Sequence, residues 1–199
     1  IAVCNAGGIS LAKVSGRIAR LCEKTDDGKN MPGFTGIGHT RWATHGAPTD
    51  INAHPHMSCD GRFSVVHNGI IENAKEITNE YIGEENLVSE TDTETVAHLL
   101  SRFYDGNVLG TIARVAEKLE GSYALGIICS ETPDKIYCTA KASPLVAAYG
   151  DDGCFIASDV SAISRYSDAS YSIADGEIAI LSDNSISFYD NKGDEIQKT

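Results

Sequence analysis

The sequence predicts an α+β domain with a largely antiparallel sheet. Strand-like apolar runs and turn signals open the chain, three helical periodicities follow one another between about residues 72 and 119, and strand-like runs recur from Ser122 onward. Strands and helices therefore come in blocks, which argues against the strict alternation of a parallel, doubly wound sheet. At 199 residues the chain suits one domain with a sizeable core, and no repeat, low-complexity tract or linker divides it.

Residues 1–14 read as two short strands around the turn Asn5-Ala6-Gly7-Gly8, a hairpin signal. A helix with Ile18, Leu21 and Cys22 on one face is expected next, then a polar loop over Thr25–Pro32. Arg62–His67 reads as a strand that stops at Asn68-Gly69. Helices are predicted at about Glu72–Ile82, Asp92–Tyr104 and Val108–Leu119. The second presents Val96, Leu99, Leu100 and Phe103 on one face, with Thr91 or Ser89 as its cap. The segments YALGIIC, KIYCTA, PLVAAYG, CFIAS, EIAILS and ISFYD read as strands, and Asp159–Tyr166 as a short helical piece started by an acidic cap.

The net charge is −12, from 16 basic and 28 acidic side chains. Its distribution is uneven: residues 1–60 carry +1 and residues 61–199 carry −13. Such a surface favours solubility and argues against a general nucleic-acid binder, which needs clustered Lys and Arg. No apolar run approaches the roughly 18 residues needed to span a bilayer. The six cysteines include no CxxC pair, and several lie in apolar runs. They are read as free thiols of a reducing, cytoplasmic compartment.

Four segments are rich in chemistry. The first, His39-Thr40-Arg41-Trp42-Ala43-Thr44-His45-Gly46, follows neither helical nor strand periodicity, as functional loops often do. Arg41 offers a planar fork for a carboxylate, Thr44 a further donor and Trp42 a lid. The second, Asn52-Ala53-His54-Pro55-His56, adds two alternating imidazoles. The spacing matches no established metal motif, and hydrogen bonds to loop backbone fit these histidines better than a metal does. The third, His67-Asn68-Gly69, would present an amide and an unobstructed N–H at a strand end, the two donors an oxyanion needs. It reads equally well as a turn. In the fourth, Ser89-Glu90-Thr91-Asp92-Thr93-Glu94, capping explains most residues, while Asp92 could face a ligand ammonium.

In this order, HTRWATHG, NAHPH, HNGII and SETDTE closely resemble the glutaminase domain of the glucosamine-6-phosphate synthase family, the class II glutamine amidotransferases that aminate fructose 6-phosphate. SPLV at Ser143–Val146 and FIASD at Phe155–Asp159 extend the resemblance over nearly the whole chain. It implies a four-layer αββα sandwich of the N-terminal-nucleophile hydrolase type, working without cofactor or metal. Asn68 (side chain) and Gly69 (N–H) would form the oxyanion hole. Arg41, Thr44 and His45 would bind the glutamine carboxylate, Asp92 its ammonium, and Trp42 would gate the ammonia path. The implied partners are glutamine and C-terminal sugar isomerase domains of the same parent chain, itself a homodimer.

The sequence departs from that pattern at its start. The family's nucleophile is an N-terminal Cys whose own α-amine is the base, whereas residue 1 is Ile. Cys4 sits within a strand pattern and has no free α-amine. The reading is therefore a glutaminase domain over residues 1–199 with its nucleophile segment missing, expected to be inactive alone. A non-catalytic, glutamine-binding regulatory module is the alternative.

Overall fold

The structure, a computed structural model, describes residues 1–41, 46–167 and 169–198. The opening hairpin forms as predicted: β1 (Ala2–Asn5) pairs with β2 (Gly8–Leu11), closing at Asn5 and Gly8. On its other side β1 pairs with β3 (Thr35–Ile37), giving a three-stranded sheet. Between them runs α1 (Ile18–Thr25), which ends on Asp26 in the left-handed conformation (φ 50°). Its predicted face is only partly right. Leu21 packs against Val3, Ala12 and Met31, but Ile18 is 62% exposed because it lies in the first turn, clear of that cluster.

A seven-stranded antiparallel sheet forms the centre. Its strands are β4 (His56–Met57), β5 (Phe63–Ile71), β6 (Gly121–Cys129), β7 (Ile136–Lys141), β11 (Ile178–Ser182), β12 (Ser185–Tyr189) and β13 (Glu195–Ile196). The spatial order is β13-β12-β11-β7-β6-β5-β4. A second three-stranded sheet, in the order β10-β8-β9, comprises β8 (Val146–Gly150), β9 (Gly153–Ala157) and β10 (Ser170–Ser172). A single 3₁₀ turn, Val160–Ala162, replaces the longer helical piece, and its acidic cap is present: the Asp159 carboxylate accepts the Ser161 N–H. The short strands β3, β4, β10 and β13 escape sequence reading, since two or three residues show no periodicity.

Three further helices lie on one face of the large sheet: α2 (Ala74–Ile77), continued by a wider turn over Thr78–Ile82, α3 (Asp92–Phe103) and α4 (Val108–Ala116). Val96, Leu99, Leu100 and Ile112 meet Phe63, Val65, Leu125 and Ile127 in the main core. On the opposite face, Ala2, Cys4 and Ile37 of the first small sheet pack on Val66 and Ile128, while Leu145, Ala147 and Ile173 pack on Cys138 and Ala179. With α1 beyond Val3, the order through the molecule is helix, sheet, sheet, helix, the predicted αββα sandwich. The large sheet thus buries one face under α2–α4 and the other on the two small sheets.

Two local expectations are overturned. Strand β5 does not stop at Asn68-Gly69 but stays paired with β6 through Ile71. Gly69 makes this possible: its φ is 122°, and a Cβ there would run into the Ser122 carbonyl. The dipeptide is thus mid-strand and not a turn. The start of α3 is also not capped by its own side chains, although Thr91 occupies the cap position. Thr91, Asp92 and Thr93 make longer-range bonds instead, and Glu94 accepts the N–H groups of Val88 and Ser89. Among the described residues, no helix is long and apolar enough to cross a membrane.

Candidate functional site

The predicted residues converge where β5 loses its outer neighbour. Strand β4 pairs only with Ser64 and Val65, so beyond them, among the described residues, that edge of β5 has no paired strand. Against it lies a cleft of about 370 Å³ whose walls include His39, Arg41, Asn68, Gly69, Asp92 and Ser122. Four of the seven site residues read from sequence, Asn68, Gly69, Arg41 and Asp92, therefore share one cavity. Trp42, Thr44 and His45 lie outside the described residues. A narrower apolar cleft of about 290 Å³ shares His39, His67 and Asn68 with it and runs between Ile37 on β3 and Ile156 on β9. A larger groove of about 1220 Å³ lies elsewhere, lined by Asp134, Asp152 and Asp183 and, among the described residues, by no Lys, Arg or His. It offers nothing to an anionic ligand.

Each wall is held by tertiary bonds. The Asp92 Oδ2 accepts the N–H of Ile71 at 2.8 Å, and its other oxygen stands 3.8 Å from His67 Nδ1. Arg41, in a left-handed conformation (φ 33°), donates to the carbonyls of Ala47 (3.3 Å) and Gly46 (3.4 Å). That part of the loop is pinned by Glu90, whose carboxylate accepts the Ala47 N–H at 3.2 Å and the Asn52 amide at 2.8 Å. Asn52 returns a bond by accepting the Glu90 N–H at 3.0 Å. The Asn68 Oδ1 is bonded to His39 Nε2 at 2.6 Å.

The histidines beneath the cleft follow the loop-backbone reading only in part, since they also bond hydroxyls of α3 and its cap. His56 Nε2 meets the Thr91 hydroxyl at 2.9 Å, and His54 Nε2 and His67 Nδ1 both meet that of Thr93, at 3.3 and 3.0 Å. His39 has a backbone partner, the Arg41 N–H at 2.8 Å, and His56 and His67 also interact with the backbone of Asn52 and Ser122. Burial drives all four toward the neutral form. The His54 imidazole is held down at about 2, by burial first and then by the surrounding imidazoles, and that of His56 at about 3, by burial and then by Lys13. His39 and His67 are lowered too, His67 in spite of Asp92. Glu94 goes the other way. Burial would raise it, but bonds from His98 and from the N–H groups of Ser89 and Val88 outweigh that and hold it at about 2.

A guanidinium, a carboxylate and an amide on the walls of one cleft suit a zwitterion such as a free α-amino acid. None of the six cysteines lines the cleft. Cys4 is buried in β1 with its Sγ 3.7 Å from the Cys129 carbonyl. Sequence reasoning missed the scaffolding roles of His39, Asn52, Glu90 and Thr93. For Asn52 and Glu90 no local signal exists, since they meet across 38 positions. For His39 the signal was its place two residues before Arg41.

The family described as "Glutamine amidotransferase domain" matches residues 39–165. Over its full length the chain is 46% identical to a glutamine--fructose-6-phosphate aminotransferase [isomerizing] of Clostridium acetobutylicum and 45% identical to that of Caldanaerobacter subterraneus subsp. tengcongensis. It spans about a third of the length of each, 33% in both cases. Among solved structures it resembles glutamine phosphoribosylpyrophosphate amidotransferase from B. subtilis (TM-score 0.77, 22% identity, covering 96% of this chain and 42% of that one). A structure titled as the allosteric regulatory enzyme of purine biosynthesis is similar (TM-score 0.79, 22% identity, 96% and 42%). At that identity the likeness establishes a shared fold alone.

Proposed function

Because the chain belongs to the glutamine amidotransferase domain family, we propose that it is the ammonia-producing part of a longer glutamine--fructose-6-phosphate aminotransferase. The observation that carries this reading is the meeting of Arg41, Asp92, Asn68 and Gly69 at one cleft on that edge of β5. Glutamine binds with its α-carboxylate on Arg41, supplemented by Thr44 and His45, and its α-ammonium on Asp92. Its side-chain amide then reaches Asn68-Gly69.

The nucleophile is the thiol of an N-terminal Cys on a segment preceding Ile1, reaching Asn68 along the apolar cleft between Ile37 and Ile156. Its α-amine, titrating near pH ~8 when unperturbed, takes the thiol proton. The thiolate forms a bond to the amide carbon, and the carbonyl electron pair moves onto oxygen. That oxyanion accepts from the Asn68 NH₂ and the Gly69 N–H. Collapse expels ammonia, which leaves with the proton held by the amine, and water releases glutamate from the thioester. Trp42 gates passage of ammonia to the sugar isomerase domains, where it aminates fructose 6-phosphate. The parent is a cytoplasmic homodimer with reduced thiols.

The test is glutamate release from glutamine by the 199-residue chain beside the encoded protein that includes its upstream segment. Release only by the longer protein is expected. Tight glutamine binding without turnover in both would replace the enzyme with a glutamine-binding regulatory module.

A further inference from the structure

We infer that His39 is a positioning residue that fixes which face of the Asn68 amide meets the substrate, an inference that rests on the oxyanion reading of Asn68. Nδ1 of His39 lies 2.8 Å from the Arg41 backbone nitrogen, which can only donate, so Nδ1 must accept. The ring hydrogen therefore sits on Nε2, 2.6 Å from Asn68 Oδ1, and Nε2–H donates to that oxygen. A protonated ring would set a second N–H against that of Arg41. Burial, reinforced by the Arg41 charge, keeps the ring neutral.

The consequence lies in the amide. An asparagine side chain turned by 180° exchanges its oxygen and its NH₂. With oxygen toward the substrate it would repel a developing oxyanion, whereas with NH₂ toward the substrate it stabilises one. The His39 N–H tolerates only the second arrangement, because the flipped amide would face it donor to donor. Among the described residues the Asn68 NH₂ makes no hydrogen bond, and Asn68 lines the cleft, so those hydrogens are available to a ligand. The ring itself is held against His54, with centroids 4.7 Å apart, and His54 is buried. One imidazole thus joins the residue that receives the carboxylate, Arg41, to the residue that receives the oxyanion.

The experiment has two arms. In the protein with its upstream segment, His39→Ala should lower glutaminase kcat by roughly 10–100-fold with KM changed less than about threefold. His39→Gln, whose amide can donate to Asn68 and accept from Arg41, should recover most of the loss. In an Asn68→Ala background, His39→Ala should cost nothing further. An equal loss in both backgrounds, or a loss confined to KM, overturns the inference. In the second arm, ¹⁵N spectra of the histidine rings of the 199-residue chain should give the Nε2–H tautomer for His39 near neutral pH. An Nδ1–H or doubly protonated ring overturns the inference without reference to activity. A longer protein that releases no glutamate would instead sink the proposed function, while the tautomer still decides the His39–Asn68 bond.

Discussion

Asp92 and Ile71 are fastened to each other: the carboxylate of the first residue of α3 accepts the backbone N–H of the last residue of β5 at 2.8 Å. The acid is thereby set at a fixed place relative to Asn68-Gly69, two residues back along the same strand. A helix terminus and a strand edge become one rigid site wall.

Replacing Asp92 by Asn tests its proposed charge with little disturbance to the fold, because the amide oxygen can still accept from Ile71. Glutamine affinity should fall by roughly 10–100-fold, the value of one charge-assisted bond. The melting temperature should change little. Calorimetric titration with glutamine and a thermal melt of the same sample check both; unchanged affinity would refute the ammonium role.

Asn68→Ala and Gly69→Ala should separate chemistry from architecture. The first removes one donor from a paired strand and should cut turnover by roughly 10²–10³-fold with little loss of stability. The second places a Cβ against the Ser122 carbonyl at φ 122° and should cost stability on the order of 1–3 kcal/mol or more. Urea titration of both variants, alongside glutaminase assays, reads the difference.

Acid should unfold this domain in two regimes. His54 and His56 are held neutral in the fold, at about 2 and about 3, whereas unfolded imidazoles titrate near 6.5. Unfolding below pH ~6.5 therefore takes up protons, so the stability is fully present above that pH and is lost as the pH falls toward 3 and 2. Two imidazoles give a slope approaching ~2.7 kcal/mol per pH unit. Glu94, held at about 2 against an ordinary 4.5, adds its loss only below about pH 4.5. Denaturation curves from pH 7 to 3 should show His56→Gln flattening the upper regime and Glu94→Gln only the lower.

Thr93 is fully buried and bonded to both His54 and His67. The near-isosteric change Thr93→Val should cost about 1–3 kcal/mol, the penalty for stripping buried polar groups of a partner. A cost within error of zero would mean that those imidazoles find other partners.

The block order of strands and helices, the opening hairpin, the apolar face of α3 and the segments from which the site is built are all legible in the amino-acid order. All of these are written in spacings of a few residues, where periodicity and turn chemistry act. The motifs also carried the family resemblance that the domain match bears out. Tertiary structure decided what those residues bond to. Glu94 looked like a cap but turned to the N–H groups of Ser89 and Val88, Asp92 bound a neighbouring strand, and Asn68-Gly69 proved to be paired strand. The physical reason is desolvation. Once α3 packs on β5, polar groups at that seam are driven to partners among whatever the fold brings near, across 21 positions of sequence for Asp92 with Ile71 and 39 for Thr93 with His54. Local pattern cannot encode that choice.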